Sequence, residues 1–186
     1  MQADLQAMLD REAIRRCVER LARGEDRRDA GLIRASWWPD ATYDYGVQGG
    51  SFDEYLAWVV PGADAITNTQ HVLGQTWTEL AGYSAKSETH VISYHRVDYG
   101  AQTGNPDEHD TCIGGRYLDT FQKRINADGQ GEWRIADRIM LYDWYQDWGA
   151  SVDWSQGVMG LPFTNPRFPG SARSDYSSDW FAGRPM

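Results

Sequence analysis

Four long stretches of strand character follow one another at residues 68–80, 84–99, 111–125 and 132–148, and they limit the chain more than any other feature. The polar run AQTGNPDEHD (101–110) and the turn ADGQG (127–131) separate the last three, which predicts a long antiparallel meander. Strands of this length need one face covered, and the covering must come from the first 60 residues. There, Leu5, Met8, Leu9, Ile14, Cys17, Val18 and Leu21 recur at helical spacing over residues 4–24, with Gly24 as the expected stop. A short helix is expected over about 29–37, closed by Pro39, and then a strand in ATYDY (41–45) before the turn at Gly46, Gly49 and Gly50. Ser51 to Glu54 reads SFDE, a capping box that opens a third helix ending near Pro61. Helices first and antiparallel strands after them define an α+β architecture.

At 186 residues the chain has the length of one domain with a real core. A net charge of −9 and a pI near 4.8 argue against nucleic acid or an anionic membrane as partner. The first residues mix acids and bases without an apolar signal core, so a cytoplasmic protein is expected. Cys17 and Cys112 read as two reduced, buried thiols. No two histidines with a nearby carboxylate have metal-ligand spacing, and no phosphate loop or dinucleotide fingerprint occurs; neither metal nor cofactor is expected. With 9 Trp and 10 Tyr at a mean hydropathy of −0.64, the aromatics suit either a pocket for an aromatic ligand or a subunit interface.

The segments DREAIRRCVERLARGEDRRD, IRASWWPDATYDYG, NTQHVLG, GRYLDTFQKR and EWRIADRIMLYDW together resemble the SnoaL-like branch of the nuclear transport factor 2-like superfamily. That branch includes hexachlorocyclohexane dehydrochlorinase, bile acid 7α-dehydratase and scytalone dehydratase. The resemblance covers residues 5–148. It implies a cone-shaped α+β barrel, with the N-terminal helices packed on a strongly curved, mostly antiparallel sheet, and a homotrimer. It also implies a lyase in which Asp26, at the first interhelical turn, supports His71 as base. Arg138, five residues after Trp133, would face the same pocket, as would Tyr43 and Tyr45. Where relatives can carry a polar pocket residue, this chain has Leu21, so the leaving group can differ.

Residue by residue, the chemistry has competing readings. His71 shares a strand face with Leu73 and Trp77 by alternation, and it is either a base or a hydrogen-bonded core histidine. Asp26, beside Arg27 and Arg28, is either the support of that base or a solvated cap. Arg138 alternates with Ala136, Met140, Tyr142 and Trp144; it either stabilises a departing oxygen or pairs with Asp26 or Glu88. Tyr43 offers a phenol to a leaving hydroxyl or is a half-buried strand residue. His90 and His95 have opposite parity, so at most one reaches the pocket. Tyr45, Trp38, Trp77, Tyr117, Trp144 and Phe163 are the candidates for holding a substrate.

The reading is therefore a cofactor-independent lyase that removes water, halide or formaldehyde from a small hydrophobic, aromatic substrate, a lignin-derived diaryl compound among the possibilities. A non-catalytic small subunit of a ring-hydroxylating dioxygenase, or a cyclase-type or ligand-binding member, is the rival. Residues 1–148 form the domain proper. The extension 149–186, rich in Gly and Pro yet carrying Trp154, Phe163, Phe168, Tyr176, Trp180 and Phe181, is expected to be ordered, with 158–168 over the mouth of the cone.

Overall fold

The structure, a computed structural model, describes residues 2–126, 128–170, 172 and 176–183. Helix α1 (Gln2–Asp26) runs two residues past Gly24. A Cβ at Gly24 would stand 2.9 Å from Ile33 Cγ1 and 3.1 Å from Ile33 N, so this glycine admits the second helix rather than stopping the first. The turn comes at Arg28, in the left-handed region at φ 52, which lets Asp29 N–H donate back to the Gly24 carbonyl at 2.8 Å. Asp29 then caps α2 (Ala30–Ser36), its carboxylate accepting from the N–H groups of Gly31 and Leu32. The chain continues through β1 (Trp37–Asp44) and β2 (Gly49–Ser51) to α3 (Phe52–Val59), which starts in the reciprocal Ser51–Glu54 capping box.

Four long strands follow: β3 (Ile66–Ala81), β4 (Ser84–Asp98), β5 (Glu108–Ile125) and β6 (Gly131–Ala150). They form the antiparallel meander that their sequence predicts. β1 then adds to β6 in parallel, giving a six-stranded curved sheet in the order β2-β1-β6-β5-β4-β3. The sheet stays open between its edges β2 and β3, so the cone is not closed into the barrel expected from the resemblance. Beyond β6 the described tail holds the small hairpin β7 (Gly157–Val158) and β8 (Leu161–Pro162), and the short helix α4 (Tyr176–Phe181).

The core lies where α1, α2 and α3 cover the sheet. Ile14, Cys17, Val18 and Leu21 of α1 meet Ile33, Trp37, Phe121 and Ile135 with almost no exposure. Trp37 stacks on Phe52 at 5.8 Å and leans on Tyr55 at 4.9 Å; burying one such side chain contributes on the order of 3 kcal/mol. Both cysteines are free and buried, and burial pushes the Cys17 thiol up to about 11.

Two interruptions in strand register decide which side chains face the helices. On β3 the pairing slips between Leu73 and Thr76. Thr69, His71 and Leu73 face inward before the slip, and Thr76, Thr78 and Leu80 after it, so Trp77 points out and is 71% exposed. On β6, Phe121 pairs with Ile135 and Thr120 with Asp137, which leaves Ala136 as the extra residue of a bulge. The inward residues are Trp133 and Ile135 before it, then Arg138 and Met140. Ala136 and Arg138 therefore do not form the continuous face that simple alternation predicts.

Candidate active site

The end of α1 meets β3 beneath the sheet, and that contact builds the site. Asp26 is the last residue of α1. Its carboxylate accepts the backbone N–H of His71 at 3.1 Å and faces the His71 ring nitrogen Nδ1 at 2.7 Å. Holding main chain and side chain of one residue together fixes the imidazole in place. With Nδ1–H donated to Asp26, Nε2 is the nitrogen left for chemistry. Burial disfavours a charged imidazole, but the Asp26 hydrogen bond and the negative charges of Glu25 and Asp26 outweigh it, so His71 titrates above the usual histidine value.

Glu25 was not among the site residues expected from the sequence. It is 4% exposed, accepts the Tyr55 hydroxyl on Oε1, and leaves Oε2 without a hydrogen bond. His71 Nε2 stands 3.5 Å from that oxygen. The C-terminal end of a helix disfavours negative charge, and here two carboxylates in sequence occupy it. His95 is the other addition. Register pairs it with Thr69, two positions from the Ser93–His71 pair, so it faces inward, and its ring lies 6.0 Å from that of His71. Burial, followed by the positive charges of His71 and Arg28, holds His95 down to about 4, so it is neutral at pH 7.

These groups open on a cavity of about 280 Å³ whose polar wall is Glu25, Arg28, Thr69, His71 and His95. Tyr45, Tyr55, Trp58 and Tyr117 form its aromatic wall, with the α3–β3 connection closing the remaining side. Tyr45 stands edge-on to Trp58 at 5.7 Å and stacks with Tyr117 at 6.4 Å. Burial raises the phenols of Tyr45, Tyr55 and Tyr117, which keeps them protonated as potential donors. Asp26 and His71 also border a second, more open depression, with Arg23 and Arg27.

Of the residues expected from sequence, Asp26, His71, Tyr45 and Tyr117 are gathered here, and the others are not. Arg138 is 1% exposed and bound to Asp119, its cross-strand partner on β5, at 2.7 and 2.8 Å. The guanidinium lies 3.8 Å from the Tyr117 ring centre, behind the aromatic wall rather than in it. Neither partner expected for it applies: Asp26 holds His71, and Glu88 pairs with Arg116. Tyr43 is a core residue packed among Tyr45, Tyr55 and Trp58, one layer behind the cavity. Trp38 is buried under Arg124 and Arg134 and donates its indole N–H to the Gln122 carbonyl.

Trp77 sits outside, beside the start of α1. Trp144 covers Gly114, where a Cβ would come 2.0 Å from the indole Cε2. Phe163 packs on Phe168 at 6.1 Å in a depression made by the tail itself, so within one chain 158–168 does not cover the cavity. The tail touches the domain elsewhere. Arg96, held by Asp110, donates to the Val152 carbonyl, and Arg23 lies 4.6 Å over the Phe181 ring. Among the described residues no three His, Cys, Asp or Glu side chains gather as a metal site requires, and no helix is long and apolar enough to cross a membrane.

The open α+β cone, with helices over one face of a curved sheet, is consistent with the fold of the nuclear transport factor 2-like superfamily. Residues 6–139 match the SnoaL-like domain family, and the chain belongs to it. A type 2 hexachlorocyclohexane dehydrochlorinase (LinA) superposes with a TM-score of 0.66 at 17% identity, over 88% of this chain and 98% of that one. LinA-type3 from Novosphingobium barchaimii gives 0.65 at 17% identity, over 88% and 99%. A scytalone dehydratase-like protein from Novosphingobium aromaticivorans gives 0.63 at 17% identity, over 84% and 97%. At these identities the likeness establishes the fold. No curated protein shows significant sequence similarity to the chain.

Proposed function

We propose that the chain is a cofactor-independent lyase in which His71, held by Asp26, takes a proton from a small aromatic substrate to start an elimination. The observation that carries this is the 2.7 Å contact of Nδ1 with Asp26 on an imidazole that lines an aromatic-walled cavity. A carboxylate on one ring nitrogen raises the basicity of the other and fixes its direction. That solved structures of similar fold include a dehydrochlorinase and a scytalone dehydratase-like protein supports an elimination of water, halide or formaldehyde. The cavity, at about 280 Å³, is just below the usual range for small-molecule sites. A compact aromatic substrate therefore stands ahead of a lignin-derived diaryl compound.

Arg138 keeps a part in this reading as the support of Tyr117, not as a group that meets the departing atom. The exposed Tyr142, Trp144, Tyr145 and Trp148 at the far end of β6 favour an assembly that covers them, and we take it to be a homotrimer. Light scattering that returns a monomer at micromolar concentration would remove that part. The catalytic part is tested with a panel of aromatic alcohols and halides, followed by mass loss. His71→Ala is expected to lower turnover by about two to four powers of ten. Activity of His71→Ala near that of the wild type would end the lyase reading.

A further inference from the structure

We propose that Glu25 is a second proton-transfer group of this site, that it holds one proton jointly with His71, and that the leaving group is consequently an oxygen, as in loss of water from an alcohol. This rests on the lyase reading above. Three observations carry it. Glu25 is almost wholly buried, yet its Oε2 has no hydrogen bond and lines the cavity. His71 Nε2 is 3.5 Å from that oxygen, while Nδ1 is committed to Asp26. Tyr55 donates to the other oxygen, which fixes the carboxyl so that Oε2 faces the imidazole.

An unpaired carboxylate and an unpaired imidazole nitrogen this close, in a low-dielectric pocket, are stabilised by sharing one proton rather than holding none or two. The same arrangement fits a substrate hydroxyl lying against both groups. Elimination then balances within the pair. Starting with the shared proton on Glu25, Nε2 takes the proton from the substrate carbon, and the C–H electrons become the new double bond. The C–O bond breaks, and the departing oxygen takes the Glu25 proton and leaves as water. The pair again holds one proton, now on Nε2, and its return across 3.5 Å resets the site.

Halide loss would use this machinery poorly. A halide leaves as an anion and needs no proton, so the proton on Glu25 gives it no help. Arg138, the residue expected to receive a departing anion, is spent on Asp119. Hydroxide is the leaving group that needs an acid, and Glu25 supplies one.

The test uses the full chain with Glu25→Gln, which keeps the shape and an acceptor for Tyr55 but cannot exchange this proton. Matched β-aryl alcohols and β-aryl chlorides are the probes. Turnover of alcohols is expected to fall by about a hundredfold or more while chlorides change by less than about tenfold. Alcohol turnover near wild type, or an equal loss for both classes, overturns the proposal. A second readout needs no substrate: ¹⁵N spectra of the His71 imidazole followed through a pH titration.

The charged and titratable groups around that ring are Glu19, Arg23, Glu25 and Asp26 from α1, Arg27 and Arg28 from the turn after it, Tyr45 after β1, Tyr55 from α3, His95 from β4, Tyr117 from β5 and Arg138 from β6. Of these, Glu25 alone is changed, and the His71 midpoint is expected to fall. An unmoved midpoint overturns the pairing. Should Glu25→Gln fail to fold, Glu25→Asp retains the carboxyl one methylene further back, and a lowered midpoint with weakened alcohol turnover is expected of it. If the wild type acts on neither probe class, the lyase reading fails while the midpoint still decides whether the proton is shared.

Discussion

Two clusters of buried charge stand on opposite sides of the aromatic wall. Arg138 and Asp119 face each other across β5 and β6 with two hydrogen bonds, and the Tyr117 ring covers the guanidinium. Glu25 and His71 face the cavity, with Asp26 holding the imidazole outside it; there one carboxylate oxygen has no hydrogen bond and one ring nitrogen is left for a ligand. Both clusters carry the desolvation cost of charge in a low-dielectric interior. The first is closed, and its chemistry is complete within the protein. The second is open, and its missing contacts are those that a substrate would make. Burial and charge alone do not mark a site; unsatisfied bonding capacity turned toward space does.

That contrast can be broken by experiment. Removing Asp26 should act mainly on chemistry: Asp26→Asn is expected to reduce turnover by about two to four powers of ten with a much smaller shift in unfolding midpoint. A stability loss matching the activity loss would place the two clusters in one class. Removing Asp119 should do the reverse. Asp119→Ala strands a buried guanidinium and is expected to cost about 3–5 kcal/mol in urea unfolding. The pair Arg138→Met with Asp119→Leu, which removes both charges, should regain most of that stability. If the double variant is no better than Asp119→Ala, the guanidinium serves Tyr117 directly.

The smallest expected effect is the pH dependence of stability, where the two histidines of the open cluster act oppositely. His71 titrates above its unfolded value, so its contribution is complete below about pH 6.5 and is lost as pH rises through the folded value. His95 is held down to about 4, so the unfolded chain takes up a proton first and stability declines as pH falls from about 6.5 toward that value. His95→Gln should flatten the acid side of the curve without changing the alkaline side. Urea midpoints across this range measure both limbs, and an unchanged acid limb would remove His95 from the account.

Much of this was legible in the sequence. Hydrophobic spacing placed α1, SFDE placed the start of α3, and the polar interruptions placed the meander, because those features depend on residues close in sequence. Asp26 and His71 were legible as a pair only through the family resemblance. Glu25 carried a signal of its own: it continues the buried stripe Ile14, Val18, Leu21 at helical spacing, a place for an apolar residue and not a solvated acid. Trp77 and Ala136 were put on the wrong face because strand alternation was carried across Gly74 and across Ala136 itself, where the register slips. Arg138 was assigned to the pocket by the resemblance alone; it does face inward, but onto Asp119. Asp119 could not be found as the partner of Arg138 without knowing how β5 and β6 align.

The parallel join of β1 to β6 also has a bearing on how the chain comes to be folded. Thr42 pairs with Asp137, 95 positions away, whereas β3 to β6 pair with their immediate successors. Closing so long a loop is entropically costly and is favoured only after the meander exists. The strand that brings Tyr45 to the cavity is therefore expected to dock late, onto a template already formed. Along a refolding time course, binding competence should lag behind the recovery of sheet structure. During that lag an unpaired edge of β6 lies open to the β1 strand of another molecule, which makes domain exchange the characteristic hazard of refolding at high concentration.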